Sequence, residues 1–470
     1  MKNNRREFLK LTGLAGMSLA GAGLLQGFTP GPEPAVQEDK LSNRFNMSGY
    51  AAPKLDTVRI GFVGLGNRGP AAVYRMSHIE GVDIKALCDL RPEKAKAAFE
   101  KLKGSAHNPK LYTGGENEWK KMCERTDIDL IYISTPWSLH TPMALYAMEC
   151  GKHVCIEVPA ATTIEDCWKL VEMSERTKKH CMMLENCCYG FFELLTLNMA
   201  RQGFFGEIIH CEGAYIHDLL EGNFSKEKYW EMWRLKENFR NGNLYPTHGL
   251  GPVSQIMNLN RGDKMEYLVS VASNDFMMAE LANELADKDA FYKPFKGKSF
   301  RGNMNTTTIK TAKGRSLMIQ HDVTSPRPYS RIHLVSGTKA TAQGFPGPEK
   351  ISIGHNWATE EEFKALEQKY RPEIAKLIGD TAKKFGGHGG MDFLMDWRTI
   401  DCLRNGLPLD IDVYDTALWS AIGPLSEKSV SNRSNSIDVP DFTRGKWQTN
   451  KAVDITFAAG GNTKTLPKRS

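Results

Sequence analysis

The stretch VRIGFVGLGNRGPAAV, running from Val58 to Val73, constrains this chain more than any other. A short apolar run is followed by Gly64, Gly66 and Gly69 in the spacing G-x-G-x-x-G, and a helical pattern begins at once. Each glycine has its own reason to be there. The first allows a tight turn, the second lets backbone approach a pyrophosphate, and the third lets helix and strand pack closely. The helix start then presents unpaired N–H groups to the phosphates. The next apolar run, VDIKALCDL, reaches Asp89 about twenty residues on, where a carboxylate accepts from ribose hydroxyls and repels a 2′-phosphate. The pattern predicts a dinucleotide site of the NAD rather than the NADP kind. Gly64, Gly66, Asn67, Arg68, Gly69 and Asp89 are its expected cofactor-facing residues.

The rhythm around this motif predicts the rest of the first domain. GPAAVYRMSHI, PEKAKAAFEKL, TPMALYAMECG and TIEDCWKLVEMSERTKK read as helices. VDIKALCDL, IDLIYISTP, KHVCIEVP and HCMMLEN read as strands between them. Such alternation implies a parallel sheet with helices on both faces. After Tyr189 the pattern changes to strand-like runs, EIIHCEGAYIH, EYLVSVASN, NTTTIKTAKG, RSLMIQHDVTS and RIHLVSGTKATAQGF, with few helices between. Helical patterns return at TEEEFKALEQKY and GGMDFLMDWRTIDCLRNG. The expected fold is α/β: a doubly wound Rossmann sheet at 57–188, then an α+β domain at 189–441 on a largely antiparallel open sheet, then a tail at 442–470.

Length and composition set further bounds. The 470 residues suffice for two cores, and the net charge of +6 is mild and scattered, so no nucleic-acid partner is expected. Residues 1–30 resemble a twin-arginine export signal: Arg5-Arg6, then Glu7, Phe8, Leu9, Lys10 and a Gly- and Ala-rich apolar stretch from Leu11 to Phe28. Residues 31–56, Pro- and Gly-rich at their start, read as a linker. The expectation is export to the periplasm or beyond by the twin-arginine machinery, which carries folded proteins and so allows a cofactor to travel inside the fold. The ten cysteines fall in strand-like and helical runs without metal-ligand spacing. They are expected to be core thiols, with no metal site.

From about Val58 to Val439 the chain resembles the glucose–fructose oxidoreductase and inositol dehydrogenase group, Gfo/Idh/MocA. The carriers are GFVGLGNRG, CDLRPEKA, STPWSLHTPMALYAMECGKHVCIEVPAA and FGEI. In that group the strand after GKHV usually ends Glu-Lys-Pro, with a catalytic lysine beside the nicotinamide; here it ends Glu157-Val158-Pro159. Where typical members have an Asp and a His four residues apart, this chain has Tyr245, Pro246, Thr247 and His248. YPTHGLGP, with GHGGMDF later, looks closest to glycoside hydrolase family 109, NAD-dependent glycosidases whose type activity is α-N-acetylgalactosaminidase.

That resemblance implies hydrolysis without net redox: oxidation at the sugar C3, removal of the acidified C2 hydrogen, elimination at C1, addition of water and return of the hydride. One NAD held tightly per chain would serve every turnover, and the partner would be a glycan with terminal N-acetylgalactosamine. His248 is the expected proton-transfer residue and Tyr245 its neighbour in a relay. Their places at the ends of parallel strands put Trp137, Ser138, Leu139, His140, Glu157, Val158 and Asn186 against the cofactor, and the resemblance adds the stretch Tyr245 to His248. Substrate contacts are expected from the second domain, at Tyr215, Arg234, Tyr245, Pro246, Thr247, His248 and Tyr329. His388 and Asp392 are further site candidates, Tyr189 is a further candidate base, and the C2 base is unassigned. Two other readings stay open at this stage: an exported sugar oxidoreductase on bound NAD(P), and a non-catalytic sugar binder. The open sheet suits a homodimer.

Overall fold

Six parallel strands form the first sheet: β1 (Val58–Val63), β2 (Val82–Asp89), β3 (Lys110–Thr113), β4 (Leu130–Ile133), β5 (His153–Ile156) and β6 (Cys181–Met183), in the order β3-β2-β1-β4-β5-β6. The computed structural model describes residues 44–467. The expected leader, 1–30, and the linker up to residue 43 lie outside that range. Val58, Ile60, Phe62, Ile131, Ile133, Val154 and Ile156 are fully buried, as a sheet covered on both faces requires. The helices that cover it include α1 (Gly69–Met76), α2 (Pro92–Glu100), α3 (Glu118–Cys123), α4 (Trp137–Glu149) and α5 (Ile164–Thr177). Proline in the first turn of α1 and of α2 costs no backbone bond there. Thr163 caps α5 by accepting from the Asp166 amide at 3.1 Å. Strand order reverses between β1 and β4, and in such sheets ligands bind at the carboxyl ends beside that point.

The second sheet has nine strands. They are β7 (Ile208–Ile216), β8 (Met265–Ala272), β9 (Asn305–Thr311), β10 (Ser316–Asp322), β11 (Leu334–Gly337), β12 (Thr341–Gln343), β13 (Lys350–Ile353), β14 (Asn356–Trp357) and β15 (Ile437–Asp438). The β7–β10 pair is parallel and the other neighbours are antiparallel, which agrees with the largely antiparallel sheet expected. One face packs on helices; the other leaves Ile209, Tyr267 and Val271 exposed.

Helices are more numerous here than the sequence suggests. Beyond the two anticipated, Glu360–Tyr370 and Met391–Asn405, the chain forms Phe191–Arg201, Thr247–Ile256, Met278–Lys288, Glu373–Phe385 and Val413–Ser431. The last of these is buried almost all round, so it carries no amphipathic stripe to read. It stitches the two domains together through short hydroxyl side chains. Thr416 Oγ1 accepts from Met183 N at 3.0 Å and Ser420 Oγ from Ala160 N at 3.2 Å; Ser426 Oγ accepts from Asn243 N at 2.8 Å and Ser429 Oγ from Ser270 N at 2.9 Å. Its capping box, Asp412 with Asp415, is gripped by the buried Arg261 at 2.6–2.8 Å.

Both described flanks are part of the body. Met47 and Ala52, inside the stretch expected as a linker, are buried, and the Met47 amide donates to Tyr414 Oη at 3.2 Å. The tail returns to the first domain. On the way Trp397 Nε1, in the second domain, donates to the Thr463 carbonyl; beyond it Leu466 N donates to the His78 carbonyl and Thr465 pairs with Ile79 as an antiparallel bridge. All ten cysteines are free thiols; nine are buried and Cys150 is partly so.

Candidate functional site

A cleft of about 770 Å³ runs along the carboxyl ends of the first sheet and under one edge of the second domain. Its size is that of a ligand site. At its floor the glycine turn behaves as the sequence requires. Gly64 has φ +87°, and a Cβ there would meet the Ser134 carbonyl carbon at 2.6 Å. A Cβ at Gly69 would lie 2.1 Å from the Gly64 carbonyl oxygen, so strand and helix are in close contact. A Cβ at Gly66 would instead project beside the Arg91 guanidinium, 3.3 Å away, at the cleft wall. The cradle therefore fits a pyrophosphate approaching Gly66. Asp89 ends β2 and accepts from Leu65 N at 2.7 Å, Arg91 N at 2.9 Å and Arg91 Nε at 3.1 Å.

The opposite end is walled by rings. His248 opens the helix Thr247–Ile256; its Nδ1 lies 2.7 Å from Glu185 Oε1, at the end of the strand β6 run. That contact leaves Nε2 as the ring nitrogen available to a ligand. The rings of Tyr245 and Tyr215 stand 4.9 and 5.2 Å from the His248 ring, both edge-on. Tyr245 stacks on Trp137 at 5.8 Å, and the Arg234 guanidinium lies over Tyr245, Trp137 and Tyr229 at 5.1–5.5 Å. Among the described residues no carboxylate lies within ion-pair distance of Arg234. Burial holds the Tyr245 phenol well above its ordinary pKa, so it stays a neutral donor. Burial also pushes the fully enclosed Glu185 carboxyl up, but the His248 ring and the Cys187 amide outweigh it, and its pKa falls below the ordinary value. Glu185, Cys187 and His248 bring ligand atoms within 4.8 Å of one another. Burial pushes the Cys187 thiol up, however, and the carboxylate is committed to His248 and the Cys187 amide; the trio is a hydrogen-bonded couple, poor in thiolate.

Most of the residues singled out from sequence line this cleft: Gly64, Gly66, Asn67, Arg68, Asp89, Trp137, Leu139, His140, Glu157, Val158, Tyr215, Arg234, Tyr245 and His248, with His388 as well. Several are placed otherwise. Arg68, expected at the pyrophosphate, turns its guanidinium to Glu157 at 3.0 Å and Asp392 at 3.4 Å, because two carboxylates converge there. His140 lines the wall but spends both ring nitrogens on the carbonyls of Pro159 and Thr135, bracing the ends of β4 and β5. Ser138, Pro246 and Thr247 are not among the lining residues; Thr247 is fully buried because the helix start turns it inward. Asn186 is buried and donates to Asp392 at 2.5 Å. Tyr189 lies off the cleft, its hydroxyl on Asp410 at 3.2 Å, which removes it as a base facing a ligand. Tyr329 stands behind Tyr215 at 6.3 Å, at the half-exposed margin of the ring cluster. Asp392 is held well below the carboxylate range, since His388, Arg68 and Arg75 together overcome its burial.

Sequence reading missed Glu185, Arg91, Lys228, Tyr229, Trp230 and Trp233. An acid at the end of a parallel strand was a usable signal for Glu185; the run YWEMWR, with aromatics spaced one turn apart, was one for the tryptophans.

Two family models cover the chain. Residues 58–185 match the oxidoreductase family with an NAD-binding Rossmann fold, and residues 189–449 match the glycosyl hydrolase 109 C-terminal domain. The chain belongs to glycosyl hydrolase family 109. A protein of Bacteroides fragilis named alpha-N-acetylgalactosaminidase is 50% identical to this family 109 chain over 417 residues, 87% of this chain and 97% of the relative. A Shewanella pealeana protein named for family 109 is 45% identical over 468 residues, 97% of this chain and 99% of the relative. Among solved structures, levoglucosan dehydrogenase in complex with NADH superposes with TM-score 0.60 at 16% identity, covering 82% of this chain and all of that one. The family 109 chain thus shares the oxidoreductase fold and its NAD-binding domain.

Proposed function

We propose that this family 109 protein is an NAD-dependent glycosidase that removes terminal α-linked N-acetylgalactosamine without net redox. The observation that carries the reading is the composition of the cleft: a dinucleotide cradle at one end and a His248–Glu185 couple among tyrosines at the other. Direct glycoside hydrolysis needs two carboxyl groups flanking the scissile bond. Four acidic residues line the cleft, Asp89, Glu116, Glu157 and Glu227. Asp89 is engaged by Arg91 and Glu157 by Arg68, and the other two stand in loops beside the adenosine end. Val158, on the wall where dehydrogenases of the wider group carry lysine, has no proton to move. The name of the Bacteroides fragilis relative supports the sugar.

When bound, NAD supplies a reversible two-electron oxidation at the sugar C3. The chain's own residues do the rest. His248, tethered through Nδ1, presents Nε2 to take and return a substrate proton. The Tyr245 and Tyr215 hydroxyls donate to sugar oxygens, and Arg234, lacking a carboxylate partner, holds the hydroxyl or acetamido oxygens. Trp137 and the tyrosine rings exclude water from the face of the sugar.

The test is nitrophenyl α-N-acetylgalactosaminide in heavy water, with no added NAD. Nitrophenol release, no build-up of NADH and deuterium at C2 of the product are expected. Release with C2 untouched, or hydride exchange between two sugars without cleavage, would sink the reading. We also propose export by the twin-arginine route with the cofactor already in place, tested by fractionation of cells, and a homodimer closed over the open sheet face, tested by light scattering.

A further inference from the structure

Between β7 and the helix that opens at Thr247, the chain leaves the second domain as an arm, residues 217–243. Both of its roots are fixed to that domain. Leu219 N donates to the Val323 carbonyl, Tyr292 Oη to the Phe224 carbonyl, Arg301 N to the Asn238 carbonyl, and Arg240 pairs with Glu427. The tip, by contrast, lies on the loops of the first domain. Asn67 Nδ2, in the glycine turn, donates to the Lys228 carbonyl at 2.7 Å. The Arg91 guanidinium lies over the Trp230 ring at 4.8 Å, and Trp233 meets Trp137 edge-on at 5.4 Å. Glu231 and Met232 hold left-handed backbone, φ 49° and 53°, at the point where the tip turns back. Non-glycine residues adopt that conformation at a cost, so surrounding contacts must enforce it. Yet the Trp230 ring at the tip is 45% exposed. A large aromatic held half-open by a strained turn, against a cation already bonded to the ribose-binding acid, is unaccounted for by packing of the chain alone.

We propose that this arm is a clasp that retains the dinucleotide, with Trp230 and Arg91 closing on its adenosine half and the Asn67–Lys228 link crossing its pyrophosphate. The inference rests on reading the cleft as an NAD site used catalytically and deepens it: an enzyme that returns its hydride within each turnover gains from a cofactor that cannot leave. Lys228, Tyr229, Trp230, Trp233 and Arg234 all face the cleft, so a dinucleotide lying along it leaves only when the tip lifts. Arg91 ties the two halves of the clasp, since it touches Asp89, the space above Gly66 and Trp230 together.

The experiment measures retention, apart from catalysis. Holoenzyme is purified, its dinucleotide content determined after acid release, and its exchange against isotopically labelled NAD followed by mass spectrometry. The wild type should stay loaded through gel filtration and exchange slowly. Trp230→Ala, a half-exposed site whose melting curve should match wild type once both are stripped of dinucleotide, should exchange roughly tenfold faster, and Trp230→Phe should remain near wild type. Asn67→Ala should accelerate exchange as well. A wild type that exchanges freely, or a Trp230→Ala variant as slow as wild type, overturns the clasp. Slow exchange in a chain that releases no nitrophenol from the glycoside would instead overturn the glycosidase reading and leave the clasp standing.

Discussion

His248 and Glu185 are linked by one short contact, and the couple sets the acid–base behaviour expected of the cleft. Removing the ring with His248→Ala should lower kcat by about 10²–10⁴-fold, the usual share of a positioned proton-transfer group. Glu185→Gln keeps the shape and loses the charge. The same substitution should change stability in a defined direction. The folded pKa of Glu185 lies below its ordinary 4.5, so its pairing contributes stability above that pH and loses it as pH falls through the folded value. Urea midpoints measured across the acid range should be flatter in Glu185→Gln than in wild type. The couple was not legible in the sequence, because its members are 63 positions apart and only the fold brings them together. His248 alone was visible, through the motif around it.

At the scale of elements, the helix Val413–Ser431 joins the domains, and its start depends on Arg261. Arg261→Leu leaves Asp412 and Asp415 buried without their cation. A loss of about 3–5 kcal/mol in denaturant unfolding is expected, as for other broken buried pairs. The strands β1, β2, β4, β5 and β6 were readable because each is an apolar run punctuated by a glycine or an acid, but β3 was not, because it is a four-residue edge strand in which only Tyr112 is buried. The helix at 413–431 was not. It is buried on nearly every side and carries Pro424 inside, so neither a 3.6-residue stripe nor an uninterrupted pattern marks it. The arm escaped notice for a different reason: its aromatics look like core until the loops they rest on are known.

For the whole molecule, a ligand held between two domains couples cofactor to stability. Stripping the dinucleotide should lower Tm, and adding NAD back should restore it. At a thousandfold excess over Kd the gain is about 4 kcal/mol, read by calorimetry with and without NAD. NADP should restore less, since the Asp89 carboxylate in the cleft would repel a 2′-phosphate. The division into a parallel and a largely antiparallel sheet was plain from the change of rhythm after Tyr189. The attachment of both flanks was not, since Met47 finds its partner hundreds of positions away and Leu466 finds His78 across the domain boundary.

That returning tail has a bearing on synthesis. The strip from Thr463 to Leu466 closes over His78 and Ile79, so the earlier domain takes backbone bonds from residues that lie beyond the whole of the second domain in the chain. A nascent chain stalled short of those residues thereby carries an unfinished first domain however long it waits.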